Sequence, residues 1–346
     1  MVRLNSSQIV GVGHYVPEKI WTNHDLAEMM DTSDTWIRER TGIEQRHIAA
    51  INEGTSDLGL FATKKALEKA SLEAKDLDLI IAGTLSPDFF FPGIGVLIQD
   101  KLDAGTIPAI DIRGQCSGFA WGLATADAFI KSGLYKNIAV VGAEIHSRII
   151  EFSNTGRNVS VLFGDAGGAA IVQGKPCQED ELPSAKNQHR GMIDHVMGSD
   201  GSGAEHLAVL RPGCAAGQEI FMLPEEVSSK AYLPFMEGKL VFKNAVSRMI
   251  ESINTLLERN NMTHNDIDLL IPHQANLRIN EMVRQKLKLP KEKVFNNIHK
   301  YGNTTSATLP LCMSEAETAG ILRRGDLVMT VAFGSGFTWG ANLIRW

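Results

Sequence analysis

The sequence predicts an α/β protein made of two copies of one unit that meet around a shared cavity. Three observations carry this. Strand-like apolar runs alternate with amphipathic helical runs along the chain, the pattern of buried strands covered by helices. The length of 346 residues exceeds what a single core fills, so two domains or two fused halves are expected. The chain also reads twice. Asp76-Leu77-Asp78-Leu79-Ile80-Ile81-Ala82-Gly83-Thr84 returns in the second half as Asp266-Ile267-Asp268-Leu269-Leu270-Ile271-Pro272-His273-Gln274.

The flanking elements follow the same repeat. A helical stretch from Leu58 to Ala70 precedes the first copy, and one from Ala245 to Arg259 precedes the second. Gly133 to Gly142, a turn leading into a strand, has its counterpart from Gly320 to Ala332, at nearly the same offset. The halves are expected at residues 1–174 and 175–346. The repeat sets Cys116 opposite Ser306, each at a strand-to-helix turn. After Cys116, the spacing of Phe119, Leu123, Ala126 and Ile130 predicts a helix buried in the middle of the molecule, with Gly133 as its stop. Between about Gln173 and Gly238 the pattern weakens, and Asp, Glu, Gly, Pro and Ser gather. This stretch reads as the connection between halves plus surface excursions.

Composition narrows the function. A net charge of −6 argues against a general nucleic-acid binder, which needs a broad basic face. No run of about 18 apolar residues is present, so no membrane span is expected. The N-terminal stretch Met1-Val2-Arg3-Leu4-Asn5-Ser6-Ser7 lacks the apolar core of a signal peptide, and a reducing cytoplasm is the expected location. The four cysteines, Cys116, Cys177, Cys214 and Cys312, show no Cys-x-x-Cys spacing, so no metal site is expected.

Cys116 lies in Asp111-Ile112-Arg113-Gly114-Gln115-Cys116-Ser117-Gly118-Phe119, where a strand hands over to a helix. A thiol at a helix start faces unpaired N–H groups and the positive end of the dipole, both of which favour the nucleophilic thiolate. Such a cysteine can carry an acyl group as a thioester, although most free cysteines are small core residues. His273 ends an apolar run, in a place where a histidine is ordinarily structural. The repeat brings that strand end to the face of Cys116. Asn303, beside Gly302, would alone read as a turn or cap residue. Phe333-Gly334-Ser335-Gly336-Phe337-Thr338-Trp339-Gly340 is a glycine-rich turn after a strand, of the kind that offers backbone N–H groups to an anion or simply turns tightly.

Together, Cys116, His273 and Asn303 resemble the catalytic set of the thiolase superfamily, with the β-ketoacyl-acyl carrier protein synthase III family as the nearest likeness. The resemblance runs almost end to end. It includes Gly11-Val12-Gly13-His14-Tyr15-Val16-Pro17-Glu18, Asp31-Thr32-Ser33-Asp34-Thr35-Trp36-Ile37, Arg40-Thr41-Gly42-Ile43 and the cysteine stretch. It continues with Leu162-Phe163-Gly164-Asp165-Ala166-Gly167-Gly168, Pro272-His273-Gln274-Ala275-Asn276, Gly302-Asn303-Thr304 and the terminal glycine turn.

The resemblance implies a thiolase-like five-layered αβαβα fold and a decarboxylative Claisen condensation. Cys116 takes an acyl group from an acyl-coenzyme A primer. The tetrahedral oxyanion sits on the backbone N–H groups of Cys116 and Ser335. A malonyl thioester on acyl carrier protein loses carbon dioxide, and neutral His273 and Asn303 hold the enolate oxygen. No metal, flavin or nicotinamide is required. By the same likeness Trp36 and Arg157 sandwich the adenine of coenzyme A, Arg40 meets its phosphate and Asn276 its pantetheine. Phe163 and Phe333 line the acyl pocket, and Phe91 reaches across a homodimer interface to close the partner's pocket. Lys243, Arg278, Lys286 and their neighbours Arg284 and Lys288 form a basic patch for the acidic carrier protein, or else a solvated helix face.

Arg113-Gly114-Gln115 before the cysteine, Lys239, Ser335 and extra length around 175–235 depart from the family pattern. Priming chain length and branching, the carrier of the extender, and primary against secondary metabolism stay open. The main rival is a related Cys-His-Asn enzyme condensing other acyl-coenzyme A substrates into secondary metabolites, signals or hydrocarbons. A non-catalytic partner subunit and a thioesterase are further readings. A dinucleotide enzyme is suggested only by Gly11-Val12-Gly13, where Val16 stands in place of the third glycine.

Overall fold

The computed structural model describes residues 4–211 and 232–346. Two sheets form its frame. The first contains β1 (Leu4–Tyr15), β2 (Leu79–Gly83), β3 (Ala109–Ile112), β4 (Asn137–Glu144) and β5 (Ala166–Cys177), in the spatial order β1-β5-β4-β2-β3. The second contains β6 (Gly191–Ser199), β7 (Leu269–Pro272), β8 (Leu327–Gly334) and β9 (Thr338–Arg345), in the order β6-β9-β8-β7. Directions match strand for strand. The pairs β1/β5, β5/β4, β6/β9 and β9/β8 are antiparallel, while β4/β2 and β8/β7 are parallel. At the position of β3 the second half has, among the described residues, a parallel bridge between Leu270 and Val294.

The repeat holds at the level of single residues. β2 and β7 start at Leu79 and Leu269, and β4 and β8 span Asn137–Glu144 and Leu327–Gly334, so one constant offset relates both pairs. Four of the non-glycine residues with positive φ pair at the same offset: Ser71 with Asn261 and Gln115 with Thr305.

Strand parity sends alternate side chains to different layers. In β2, Ile80 faces outward with α2 (Thr55–Ala70) and α3 (Ile94–Lys101), in a core that includes Leu58, Ile98 and Val141. Ile81 faces inward with α4 (Gly118–Lys131) and α5 (Thr308–Thr318), where Phe119, Leu123, Leu309 and Met313 pack between the sheets. In β7, Ile271 shares that inner layer, while Leu270 faces out onto the helix Gly238–Arg259 and the helix Leu277–Lys286 through Ile253, Leu257 and Val283. Counting across gives helix, sheet, helix, sheet, helix. Phe119, Leu123, Ala126 and Ile130 are all buried, and Gly133 has φ +78° just past the end of α4, as its place in the sequence predicts.

One expectation needs correction, and the weak nucleotide-loop suggestion is set aside. The stretch after Gln173 is more than a connection: β5 runs on to Cys177, and β6 adds a full strand to the second sheet. Residues 212–231 of that stretch, with Cys214, lie outside the described residues. Gly11 and Gly13 are mid-strand residues of β1, not a nucleotide loop. A Cβ on either would collide with the α2 backbone at Ala66 or Ala62, so the glycines let helix and sheet close together.

Candidate active site

Each sheet delivers one turn to the centre of the molecule. In the first half, β3 leads through Arg113 and Gly114 into a single 3₁₀ turn, Gln115–Ser117, and then into α4. Gln115 is left-handed at φ +44°. This conformation sets the buried Cys116 side chain against β8, where a Cβ on Gly334 would come within 2.9 Å of the Cys116 nitrogen and Cβ. The Thr305 hydroxyl and the N–H groups of Cys116 and Ser335 lie near enough to the sulfur to favour its charged form.

The expected thiolate-favouring environment is not what the fold supplies. Burial, with the Glu144 carboxylate second, pushes the Cys116 thiol from 9.0 to about 12. That rise corresponds to about 4 kcal/mol, several times what a helix terminus ordinarily returns. The dipole is also weakened locally, because the N–H groups of Ser117 and Gly118 are already bonded to the carbonyls of Gly114 and Gln115. The neutral thiol is therefore the favoured form.

In the second half, His273 follows the last residue of β7, anchored by its N–H to the Val331 carbonyl at 2.8 Å. Its ring is fully enclosed. Neither nitrogen has a hydrogen-bond partner, and burial lowers its pKa from 6.5 to about 3. Asn303 is tied at both backbone groups. Its N–H donates to Leu162 at 2.8 Å, and its carbonyl accepts from Gly164 at 3.1 Å. Its side-chain oxygen accepts the Thr305 N–H at 2.9 Å, which commits the carbonyl end of the amide and leaves the NH₂ end as a donor. Cys116, His273 and Asn303 all line one cavity of about 990 Å³. Two neutral donors and a thiol thus face the same space, an arrangement able to exchange a thioester and to stabilise an enolate oxygen.

The sequence matches the family described as 3-oxoacyl-[acyl-carrier-protein] synthase III over residues 110–201, and the C-terminal part of the same family over residues 257–346. The chain is 44% identical over 338 residues to the β-ketoacyl-[acyl-carrier-protein] synthase III of Caldanaerobacter subterraneus subsp. tengcongensis, covering 98% of this chain and 97% of that one. The chain belongs to the β-ketoacyl-[acyl-carrier-protein] synthase III family. Its relative from Geobacillus kaustophilus is likewise 44% identical, with 98% of each chain covered. The crystal structure of the Aquifex aeolicus synthase III superposes with a TM-score of 0.86 at 39% identity, covering 98% of this chain and all of that one. The priming β-ketosynthase of the R1128 polyketide pathway has the same TM-score at 28% identity, covering 99% and 97%. The fold is thiolase-like, with the five layers described above.

With synthase III as the frame, the remaining expected residues can be located. Phe163 and Phe333 line the cavity, as do Trp36, Arg40, Asn276, Arg278, Lys239 and Ser335. Trp36 and Arg40 stand one turn apart on the helix Asp34–Thr41, and the Arg40 guanidinium lies 4.4 Å from the Trp36 ring centre. Arg157 does not line the cavity. Its guanidinium lies 5.1 Å from the same ring and bonds the Asp31 carbonyl. A sandwiched ring needs about 7 Å between its two neighbours, from ordinary contact distances near 3.5 Å on each face. In this structure Arg157 therefore rests on Trp36 directly. The Asn276 amide is committed at both ends, donating to the Arg40 carbonyl at 2.9 Å and accepting the Arg278 N–H at 2.9 Å as a helix cap.

Phe91 is separate from this chain's own cavity and 80% exposed, beside exposed Phe89 and Phe90. Lys243, Lys286 and Lys288 are exposed on the two outer helices and their turn. Arg284 is engaged with Glu281 and the Leu289 carbonyl, which removes it from the expected basic patch.

Three residues of the site escaped the sequence reading. Glu144 is a fully buried carboxylate fed by neutral donors from both halves, including Ser86 at 2.6 Å and Ser306 at 2.8 Å. Burial raises its pKa. His146 and Thr305 share a hydrogen bond of 2.6 Å and both line the cavity. Thr305 could have been found, since it follows Asn303-Thr304 and is the repeat counterpart of Gln115. His146 carried no signal, being one polar residue after an apolar strand.

Proposed function

We propose that this enzyme, an acyltransferase of the synthase III family, condenses an acyl-coenzyme A primer with malonyl-acyl carrier protein through an acyl-Cys116 intermediate. Cys116 attacks the primer carbonyl. The sulfur–carbon bond to the enzyme forms, the bond to coenzyme A breaks, and the N–H groups of Cys116 and Ser335 hold the oxyanion. Coenzyme A leaves with the thiol proton. The malonyl thioester then loses carbon dioxide. Its enolate oxygen accepts hydrogen bonds from His273 and Asn303, and its carbon attacks the acyl group. The new carbon–carbon bond expels the Cys116 thiolate and yields a β-ketoacyl thioester on the carrier.

The observation that carries this reading is His273. Two buried, unpartnered ring nitrogens on a neutral imidazole lack bonds they would otherwise make. An enolate oxygen supplies a partner without placing a positive charge in a dry pocket. The proton need not be lost from His273, because a neutral ring already has one N–H to donate.

The same reading divides the chain into halves of 1–174 and 175–346, with β5 running past that line to Cys177. It assigns Trp36, Arg40, Arg157 and Asn276 to coenzyme A, and Phe163 and Phe333 to the primer's acyl chain. Lys243, Arg278 and Lys286 meet the acidic carrier protein. The enzyme works as a cytoplasmic homodimer in which Phe91 closes the partner's acyl pocket. The exposed Phe89-Phe90-Phe91 cluster supports that part, since contiguous aromatic surface of this kind marks an interface. Binding coenzyme A in the expected sandwich requires Arg157 to lift off Trp36. Incubation with a panel of acyl-coenzyme A species, followed by malonyl-acyl carrier protein and product analysis, tests the reading. Release of free acid without use of malonate would indicate a thioesterase instead.

A further inference from the structure

His146 lines the same cavity as Cys116, yet the mechanism above gives it no task. Its ring is enclosed, packed on Phe163 with ring centres 4.4 Å apart, and its Nε2 is 2.6 Å from the Thr305 hydroxyl oxygen. That hydroxyl also lies near enough to the Cys116 sulfur to favour its charged form, and both residues line the cavity. Thr305 itself is held in an unfavourable conformation. It is β-branched and left-handed at φ +48°, a backbone state that such residues seldom adopt unless their surroundings enforce it. The strain aims its side chain between an imidazole and a thiol.

Counting protons fixes the direction of these two bonds in the reactive state. A thiolate has no proton to give, so the Thr305 O–H must point at sulfur if that bond is made. The Thr305 oxygen can then bond His146 only as an acceptor, so Nε2 must carry the ring proton. Burial keeps His146 neutral, which leaves it with one ring proton to place. We propose that His146 is a positioning residue for the nucleophile: its Nε2–H holds the Thr305 hydroxyl so that the threonine proton points at the Cys116 sulfur. The thiolate then has three donors, the N–H groups of Cys116 and Ser335 and the Thr305 hydroxyl. Glu144 is the charged group that acts on the sulfur, and His146 and His273 line the same cavity with Arg113, Arg40, Lys239 and Arg278. Glu144 opposes the thiolate, the histidines are neutral, and the oriented hydroxyl is a side-chain donor to it. The inference rests on Cys116 being the nucleophile, but its test reads the thiol directly.

The test is the rate of Cys116 alkylation by iodoacetamide against pH, followed on the Cys116 peptide by mass spectrometry in the parent and in its variants. His146→Leu and Thr305→Val each remove a link. Each should slow alkylation by several-fold to about tenfold at every pH, moving the rate line up by as much as about one pH unit. His146→Gln, which keeps an N–H donor, and Thr305→Ser, which keeps the hydroxyl, should recover most of the parental rate. The double variant His146→Leu, Thr305→Val should be no slower than Thr305→Val alone, because the chain is already broken. An unchanged rate in His146→Leu beside a slowed Thr305→Val would overturn the proposal. So would a faster rate in His146→Leu, which would mean that Thr305 had been donating to the histidine. Acyl transfer to Cys116 is measured on the same samples. Its absence in the parent would refute the functional reading without touching the alkylation result.

Discussion

Gln115 and Thr305 hold the same left-handed backbone, φ +44° and +48°, at turns related by the internal repeat. One turn presents Cys116 and the other presents Ser306. Their surroundings differ at one further related pair. Glu144 ends β4 and bonds Ser306, while Gly334 ends β8 and lies against Cys116. Where one half fills the space with a carboxylate, the other leaves it open for a sulfur and its substrate.

Gly334→Ala therefore strikes the proposed nucleophile directly. Its new Cβ would sit 2.9 Å from the Cys116 nitrogen and Cβ, too close without a backbone shift. Overpacking of this kind costs about 1–3 kcal/mol. Acylation of Cys116 should fall far more than thermal stability does, which denaturation and self-acylation measured side by side will show.

His273→Ala and Asn303→Ala should separate the two half-reactions. In the proposed mechanism acylation uses backbone donors at Cys116 and Ser335, so it should persist. Malonyl decarboxylation should drop by about 10²–10³-fold for each lost donor. Decarboxylation at the parental rate in both variants would refute the division of roles.

Acid should act on stability before it acts on the chemistry of His273. The neutral ring is the working form, and it protonates only near pH 3, so activity should show no loss near 6.5 from this residue. In the unfolded chain both His273 and His146 protonate near 6.5, while in the folded protein burial lowers each to about 3. The unfolded state then binds more protons between those values, and stability falls as pH drops below 6.5. Each histidine contributes about 1.4 kcal/mol per pH unit in that window. Urea denaturation at stepped pH checks the slope, and His146→Leu should reduce it.

Phe91→Ala should lengthen the range of accepted primers. In the proposed dimer, removing the ring deepens the partner's pocket, and each methylene that enters gains about 0.8 kcal/mol on burial. Primers of increasing length, assayed beside sedimentation of the parent, test both halves of the claim. A monomeric parent or an unchanged length preference would sink it.

Much of the fold was legible because strand repeats leave a linear trace. The Asp-Leu-Asp-Leu and Asp-Ile-Asp-Leu stretches mark where β2 and β7 begin, and the Phe119, Leu123, Ala126 and Ile130 stripe marks the central helix. β6 was hidden because it follows a polar stretch, and most of its residues, such as Ile193, Asp194, His195 and Val196, are only half-buried. Cys116 and His273 were legible because each follows a strand, β3 or β7, that the repeat brings to one face, whereas Asn303, in a turn after the helix Ile298–Tyr301, was legible only through the family resemblance. The state of the thiol was not legible. Dipole and burial act in opposite directions, and sequence reveals the helix start but not the depth. Glu144 and His146 were missed for a related reason: each looks like an ordinary polar residue at a strand end, and its importance comes from contacts to Ser306 and Thr305 in the other half of the chain.

The most direct test is peptide mass spectrometry after incubation with acyl-coenzyme A, repeated after addition of malonyl-acyl carrier protein. The expected result is one acyl group on the Cys116 peptide, its disappearance when the malonyl thioester arrives, and a β-ketoacyl carrier in its place. Cys116→Ser should acquire no acyl group and form no product. Acylation of a different residue, or condensation by Cys116→Ser at the parental rate, would contradict the account.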